Sequence, residues 1–110
     1  AAIEVFQGLP RQFPELPEPH NNLAALHAAR GELDLARAAL DEAVRALPSY
    51  ALAHENLGDL HLRLAMRAWQ RAAELEPANP AVASRLRLAQ ELARQIAPPS
   101  PGAAPLPGSR

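Results

Sequence analysis

Apolar residues recur at three- and four-residue steps through the middle of the chain, which is the spacing of an amphipathic helix. Two runs share a helix face in this way: Leu23, Leu26, His27 and Arg30, and then Leu33, Ala36, Leu40, Ala43 and Leu47. Gly31 lies between the runs and is followed by Glu32 and Asp34. A glycine commonly ends a helix, and acidic residues stabilise the positive N-terminal end of the next helix. The pattern predicts a helical hairpin over about residues 20–30 and 33–47.

Prolines set the boundaries of the helical segments, because proline ends a helix and biases the preceding residue away from helical geometry. The expected boundaries are Pro14 with Pro17 and Pro19, then Pro48, then Pro77 with Pro80. The segments between them are rich in alanine and leucine, and aromatic residues make up only 4% of the chain. This composition favours helices over strands.

The chain repeats itself at an offset of 34 residues. Matched pairs at this offset are Phe6 and Leu40, Pro14 and Pro48, His20 and His54, Asn22 and Asn56, Leu23 and Leu57, Leu26 and Leu60, and His27 and His61. Because one helix pair cannot bury its apolar face alone, we expect such units to stack on their neighbours.

The repeat resembles the tetratricopeptide repeat family, over roughly residues 1–79. The Trp, Leu-Gly and Tyr of the family's first helix correspond to His20, Leu23-Ala24 and His27, and again to His54, Leu57-Gly58 and His61. The Ala, aromatic and Pro residues of the second helix correspond to Ala36, Leu40, Ala43 and Pro48, and again to Ala65, Trp69, Ala72 and Pro77. The resemblance implies an all-α fold of helix-pair repeats, an α-solenoid fragment, with close helix approach at Ala24 and Gly58.

These boundaries divide the chain into five parts. Residues 1–16 are expected to be the second helix of a truncated repeat, 17–50 a complete repeat and 51–79 a shortened repeat. Residues 80–97 follow the helix-start signal Asn79-Pro80 and predict a capping helix. Its expected buried side is Val82, Leu86, Ala89, Leu92 and Ile96. Residues 98–110 predict a disordered Pro-rich tail or linker.

The shortened repeat lacks five residues between Leu64 and Ala65, where the first hairpin has Gly31 and its flanks. No residue there is a turn former, so the local composition favours one continuous helix over about 51–76. The second-helix signature around Trp69 favours instead a tight hairpin that buries this face. A third arrangement satisfies both tendencies: a continuous helix whose second half packs on another copy of the chain. Of these, we expect the continuous helix.

Composition and spacing argue against several kinds of chemistry. The chain has no Cys and a net charge of −1, so we expect neither thiol chemistry nor a nucleic-acid partner. The histidines lie seven residues apart within each repeat, too far for chelation along one helix. The serines and isolated glycines match no nucleophilic or phosphate-binding motif. We therefore expect no enzyme activity, metal site or cofactor, and we expect the four histidines to fill aromatic positions in the helix packing.

The non-core face of the first helices is the strongest candidate site, because the resemblance implies a peptide bound on the concave surface that these helices line. The groove candidates are Asn21, Asn22, Ala25, Glu55, Asn56, Asp59, Arg63 and Arg85. Asparagine amides can bond both the N–H and the C=O of a bound backbone. The alternative is that Asn22 and Asn56 only tie neighbouring helices together. The acidic pair Glu55 and Asp59 favours a basic or mixed ligand.

These observations predict a non-catalytic protein-interaction scaffold whose partner is a protein or peptide. Two alternatives stay open: a homo-oligomerisation module, with a helix-swapped homodimer formed through the 51–76 helix, and an accessory domain of a larger protein. No apolar run is long enough to cross a membrane, so we expect no membrane insertion. Localisation is open between a bacterial cytoplasm and a bacterial periplasm or envelope.

Overall fold

The computed structural model describes residues 16–96, and the secondary structure of this part is entirely helical. Four helices follow one another: α1 (Pro17–Ala29), α2 (Leu33–Ala46), α3 (Ala51–Leu75) and α4 (Pro80–Gln95). Helix α1 packs on α2, α2 on α3, and α3 on α4. This confirms the predicted all-α class built from packed helix pairs. The truncated repeat expected at the N-terminus and the Pro-rich tail lie outside the described residues.

Helix α1 begins earlier than the sequence predicts. Pro17 is its first residue and Pro19 lies in its first turn. Proline is accepted there, because the first N–H groups of a helix have no helical acceptor and the fixed φ of proline suits a helix. The expected boundary at Pro17 and Pro19 is therefore the start of α1.

The turn between α1 and α2 is built around Gly31, as the sequence predicts. Gly31 has a φ of +76°, a conformation that favours glycine. The Glu32 N–H donates to the His27 carbonyl at 2.9 Å, and the Gly31 N–H donates to the Ala28 carbonyl at 3.0 Å. These two bonds form a Schellman motif, which satisfies the last carbonyl groups of α1.

The main core lies between α1, α2 and the first half of α3. Its buried residues are Ala24, Ala28, Leu33, Ala36, Ala39, Leu40, Ala43, Ala53 and Leu60. The predicted buried face of α2 is confirmed, except that Leu47 follows the end of the helix and is 41% exposed. Small side chains dominate this core, so the helix backbones approach closely and the few leucines contribute most of the buried apolar area.

The predicted apolar face of α1 is wrong for two of its four residues. Leu26 is 56% exposed and Arg30 is also exposed. The buried face is instead formed by Asn21, Ala24 and Ala28, together with His27. Small residues at these steps let α1 lie close to its neighbours, and this decides the rotation of the helix more than the leucine spacing does.

Helix α3 is continuous over its 25 residues, as its local composition predicts. Because it does not fold back, the close helix approach expected at Gly58 is absent. Apart from Gly58, its two chain neighbours and the adjacent backbone of α3, no heavy atom of residues 16–96 lies within 4 Å of a Cβ placed on Gly58. Its counterpart in the first repeat, Ala24, is only 2% exposed. The deletion thus leaves the first half of α3 without the second helix that α1 has.

Helix α4 begins where the sequence predicts. The Asn79 side-chain oxygen accepts hydrogen bonds from the N–H groups of Ala81 and Val82, at 3.0 and 3.2 Å, which is an N-cap. On its predicted buried side Val82 and Ala89 are buried, and Leu86 and Ile96 are half-buried. The expectation is wrong for Leu92, which is 48% exposed. The contacts of α4 within the described chain are mainly with α3, so only a narrow stripe of it is covered.

Candidate functional site

A groove opens between α1, α3 and the C-terminal end of α4. Its volume is about 600 Å³, within the range of ligand-binding pockets. Helix α1 contributes Ala25, Ala28 and Ala29, and the end of α4 contributes Ala93 and Ile96. These side chains are small or aliphatic, so they form an apolar surface that a peptide backbone or an apolar side chain can approach closely.

Helix α3 supplies the longest wall of the groove. Its lining residues follow three- and four-residue steps along one face: Asp59, Leu62, Arg63, Met66, Arg67 and Gln70. They form a single wall only because α3 is continuous, since a turn after residue 64 would send the later residues to another side of the molecule. The wall is therefore a direct product of the shortened repeat.

Two arginines of this wall tie α3 to the first hairpin. One Arg63 Nη donates to the backbone carbonyl of Ala28 at 3.3 Å, and one Arg67 Nη donates to Asp34 at 3.1 Å. The first bond places a cation at the negative C-terminal end of α1, where it stabilises the helix dipole. The guanidinium of Arg63 has further N–H donors that can serve a bound group.

Asp59 lies one helical turn before Arg63 on the same wall and is half-buried. No hydrogen bond or ion pair joins it to another residue within 16–96. Its carboxylate therefore offers acceptor oxygens to the groove, whereas Arg63 offers donors. The groove thus presents an apolar surface with one acidic and one basic residue. The backbones of Asp59 and Arg63 are about 6 Å apart along the axis of α3, because four residues of helix rise by that length.

The structure brings together three of the eight predicted groove residues, namely Ala25, Asp59 and Arg63. Asn22 is half-buried but does not line the groove, and Glu55 and Arg85 are exposed outside it.

Asn21 and Asn56 are interior residues and do not line this groove. Asn21 is 0% and Asn56 3% exposed. The Asn56 amide nitrogen donates to the Asn21 side-chain oxygen at 3.1 Å, which joins α3 to α1. For Asn56 this bond agrees with the alternative given above, in which the side chain links neighbouring helices. A buried amide needs such a partner, because an unsatisfied one costs about 1–3 kcal/mol.

Sequence reasoning missed the far end of the groove, at Met66, Gln70 and Ile96. A signal for two of them was present, because Asp59, Arg63, Met66 and Gln70 follow helical steps once α3 is taken as continuous. No sequence signal places Ile96 there, since its position depends on how α4 packs on α3.

The four histidines do not share one role. His27 is buried and its Nδ1 lies 2.9 Å from a Glu32 carboxylate oxygen. His54 is exposed and its Nε2 lies 2.8 Å from the Pro48 carbonyl oxygen, and His61 is also exposed. The expectation that all four fill aromatic packing positions is wrong for His54 and His61, because the helix that would cover them is missing.

Other chemistry is sparse in the described part of the chain. Within residues 16–96 no group of three or more His, Cys, Asp or Glu side chains is arranged to hold a metal ion. None of the four helices combines the length and apolar character needed to cross a bilayer. Burial, with a smaller contribution from the Glu18 carboxylate, raises the pKa of Tyr50, which lies outside the groove.

The packed helix pairs define a helical repeat protein, and comparison with known proteins adds one similar repeat. Over 51 residues the chain is 51% identical to the TPR repeat-containing thioredoxin TTL4 of Arabidopsis thaliana, a match that covers 46% of this chain and 8% of that protein. No family model and no solved structure matches the chain. The repeat signature, the helix-pair packing and this match support the resemblance to the tetratricopeptide repeat family. The relative is a plant protein, so a bacterial origin has no support.

Proposed function

We propose that this chain is a non-catalytic protein-interaction scaffold that binds a peptide segment in the groove between α1 and α3. The observation that carries the proposal is the convergence of Ala25, Asp59 and Arg63 on one groove. These residues come from two successive repeats, so a segment bound there contacts both. The similarity to a tetratricopeptide repeat protein supports a protein partner in general.

The groove chemistry favours a peptide of mixed character. The alanines of α1 and the side chains of Met66 and Ile96 suit an aliphatic side chain. Asp59 suits a basic side chain or a backbone N–H, and Arg63 suits a backbone carbonyl. With a net charge of −1 the chain has no general attraction for nucleic acid.

The similarity to the plant relative supports only the repeat structure of this chain, and no thioredoxin activity is inferred from it. Disulfide exchange of the thioredoxin type requires a cysteine pair, and this chain contains no cysteine. The chain corresponds to 8% of the relative's length, so the rest of that protein has no counterpart here. We propose no redox activity for this segment.

Filling the groove is expected to weaken peptide binding. Ala29 is exposed and lines the groove, so Ala29→Trp adds an indole to the groove without disturbing the core. We expect the Kd of a fluorescein-labelled peptide, selected against the wild type from a displayed random library, to rise at least about tenfold, or 1.4 kcal/mol. Fluorescence anisotropy measures this change.

Ala38→Trp is the matched control, since Ala38 is exposed on α2 and does not line the groove. Its Kd is expected to stay at the wild-type value. Equal binding by Ala29→Trp and wild type would place the peptide elsewhere and reject the groove.

We also propose self-association as a second candidate function, because α3 is continuous and leaves Gly58 uncovered. Size-exclusion chromatography with light scattering is expected to give a molar mass of twice 11.8 kDa that falls toward the monomer value on dilution. A mass of 11.8 kDa at the highest soluble concentration contradicts this function.

A further inference from the structure

Helix α3 carries both sides of an interface that the first repeat forms between two separate helices. In the first repeat α1 packs on α2, and the residues that correspond to the two sides are buried: Ala24 and His27 on α1, and Ala36, Ala39 and Leu40 on α2. The 34-residue repeat maps the first side onto Gly58 and His61. With the five-residue deletion, it maps the second side onto Ala65, Ala68 and Trp69.

The two sides differ in burial between the repeats. All five residues of the first-repeat interface are between 0% and 8% exposed. Their counterparts on α3 are open: Gly58, His61 and Ala68 are exposed, and Ala65 and Trp69 are only half-buried although α4 packs on α3. The described chain therefore lacks a cover for a face whose sequence matches a buried one.

One continuous helix cannot bring its own two halves together. Gly58 and Ala68 lie ten residues apart, so about 15 Å of helix separates them. The α3 helix of a second copy carries a partner for each half: its second half can cover Gly58 and His61, and its first half can cover the residues around Ala68. If the two α3 helices lie antiparallel, the first half of each meets the second half of the other, and a two-fold axis makes both contacts at once.

We infer that α3 pairs with α3 of a second copy in an antiparallel, helix-swapped arrangement, with Gly58 of one chain facing Ala68 of the other. The inference rests on the proposed self-association and adds its geometry. The register follows from the first repeat, where Ala24 and Ala39 lie about equally far from the turn at Gly31 and are both buried. Gly58 and Ala68 are the counterparts of these two residues.

The charge distribution of α3 favours the antiparallel direction. Residues 51–62 carry two acids, Glu55 and Asp59, and no arginine, whereas residues 63–75 carry three arginines and one acid. An antiparallel pair sets the acidic half of each helix beside the basic half of the other, and a parallel pair sets like charges together. No arginine occupies the facing positions Gly58, His61, Ala65 and Ala68, so the centre of the interface holds no buried cation.

Disulfide trapping tests this geometry cleanly, because the chain has no native cysteine. We prepare Gly58→Cys and Ala68→Cys as separate variants, unfold and refold each alone and as an equimolar mixture, and oxidise them. A disulfide needs Cα atoms within about 7 Å. In the inferred pair, two cysteines at position 58 are about 15 Å apart, and so are two at position 68. We expect a covalent dimer in the mixture and little from either variant alone. Random pairing gives roughly half mixed dimers, each with one chain of either variant. Up to roughly half of the chains can therefore be linked.

Three outcomes would overturn the inference: no covalent dimer in the mixture, equal trapping by a single variant, or a monomer mass for the wild type at all concentrations. Equal trapping of Gly58→Cys alone would indicate parallel helices. The substitutions are expected to fold, because Gly58 has open space for a Cβ and Ala68 is exposed. Peptide binding uses a different face of α3, around Asp59 and Arg63. Loss of trapping with retained peptide binding therefore rejects the dimer and leaves the scaffold function standing.

Discussion

A copy of residues 30–34, Arg-Gly-Glu-Leu-Asp, inserted after Arg63 is expected to abolish the proposed self-association and give a monomer. The insertion restores the 34-residue repeat. It also places a glycine at the position that corresponds to Gly31, which follows α1 and has a left-handed backbone conformation. With a turn available, the second half of α3 can fold onto the first half of its own chain. An intramolecular contact then replaces the intermolecular one, and it has the advantage of effective concentration.

Light scattering and trapping together check this result. The inserted chain is expected to have the mass of one chain. When it also carries both Gly58→Cys and Ala68→Cys, oxidation is expected to close a disulfide within the chain. The same double substitution without the insertion is the control, and it is expected to link two chains. An inserted variant that keeps the dimer mass would show that Gly58 and Trp69 do not form a repeat hairpin even when a turn permits it.

Truncating Leu40 is expected to be the most destabilising single substitution on α2. Leu40 is 2% exposed and is among the largest fully buried side chains of the described core. Because alanine forms most of that core, few neighbours can shift to fill the space, and Leu40→Ala is expected to cost about 2–5 kcal/mol. For a domain of this size each kcal/mol lowers the Tm by roughly 4–8 °C.

Leu35→Ala is the matched control, because Leu35 lies on the same helix and is 49% exposed. We expect its free energy of unfolding to lie within about 0.5 kcal/mol of the wild type. Urea denaturation followed by circular dichroism, at one fixed protein concentration because self-association stabilises by mass action, measures both variants. Equal losses for Leu35→Ala and Leu40→Ala would contradict the core described between α1, α2 and α3.

The first hairpin could be predicted from sequence because local and tertiary signals agree there. Gly31 has the conformation that its position demands, and the buried face of α2 follows the spacing of Leu33, Ala36 and Leu40. The rotation of α1 could not be predicted in the same way. Leucine spacing favours burial of Leu26, but close packing of α1 on its neighbours selects the smaller Ala24 and Ala28.

The groove could be predicted only in part, because it depends on two features that local patterns do not settle. Its long wall exists because α3 continues past residue 64, and the sequence carried opposing signals at that point. Its far end depends on the packing of α4, which brings Ile96 toward α1. Residues on the predicted first-helix face, such as Asp59 and Arg63, were found because they precede the deletion, where the repeat still determines the structure.

The buried amide pair of Asn21 and Asn56 has a consequence for alignment. Sliding α3 along α1 by one helical turn, about 5.4 Å, would separate the two amides and leave both without this partner in an apolar interior. Losing this buried hydrogen bond destabilises the shifted register, whereas contacts between alanines change little under such a shift. The amide pair therefore discriminates between registers that the alanines alone tolerate, so every molecule has the same groove width.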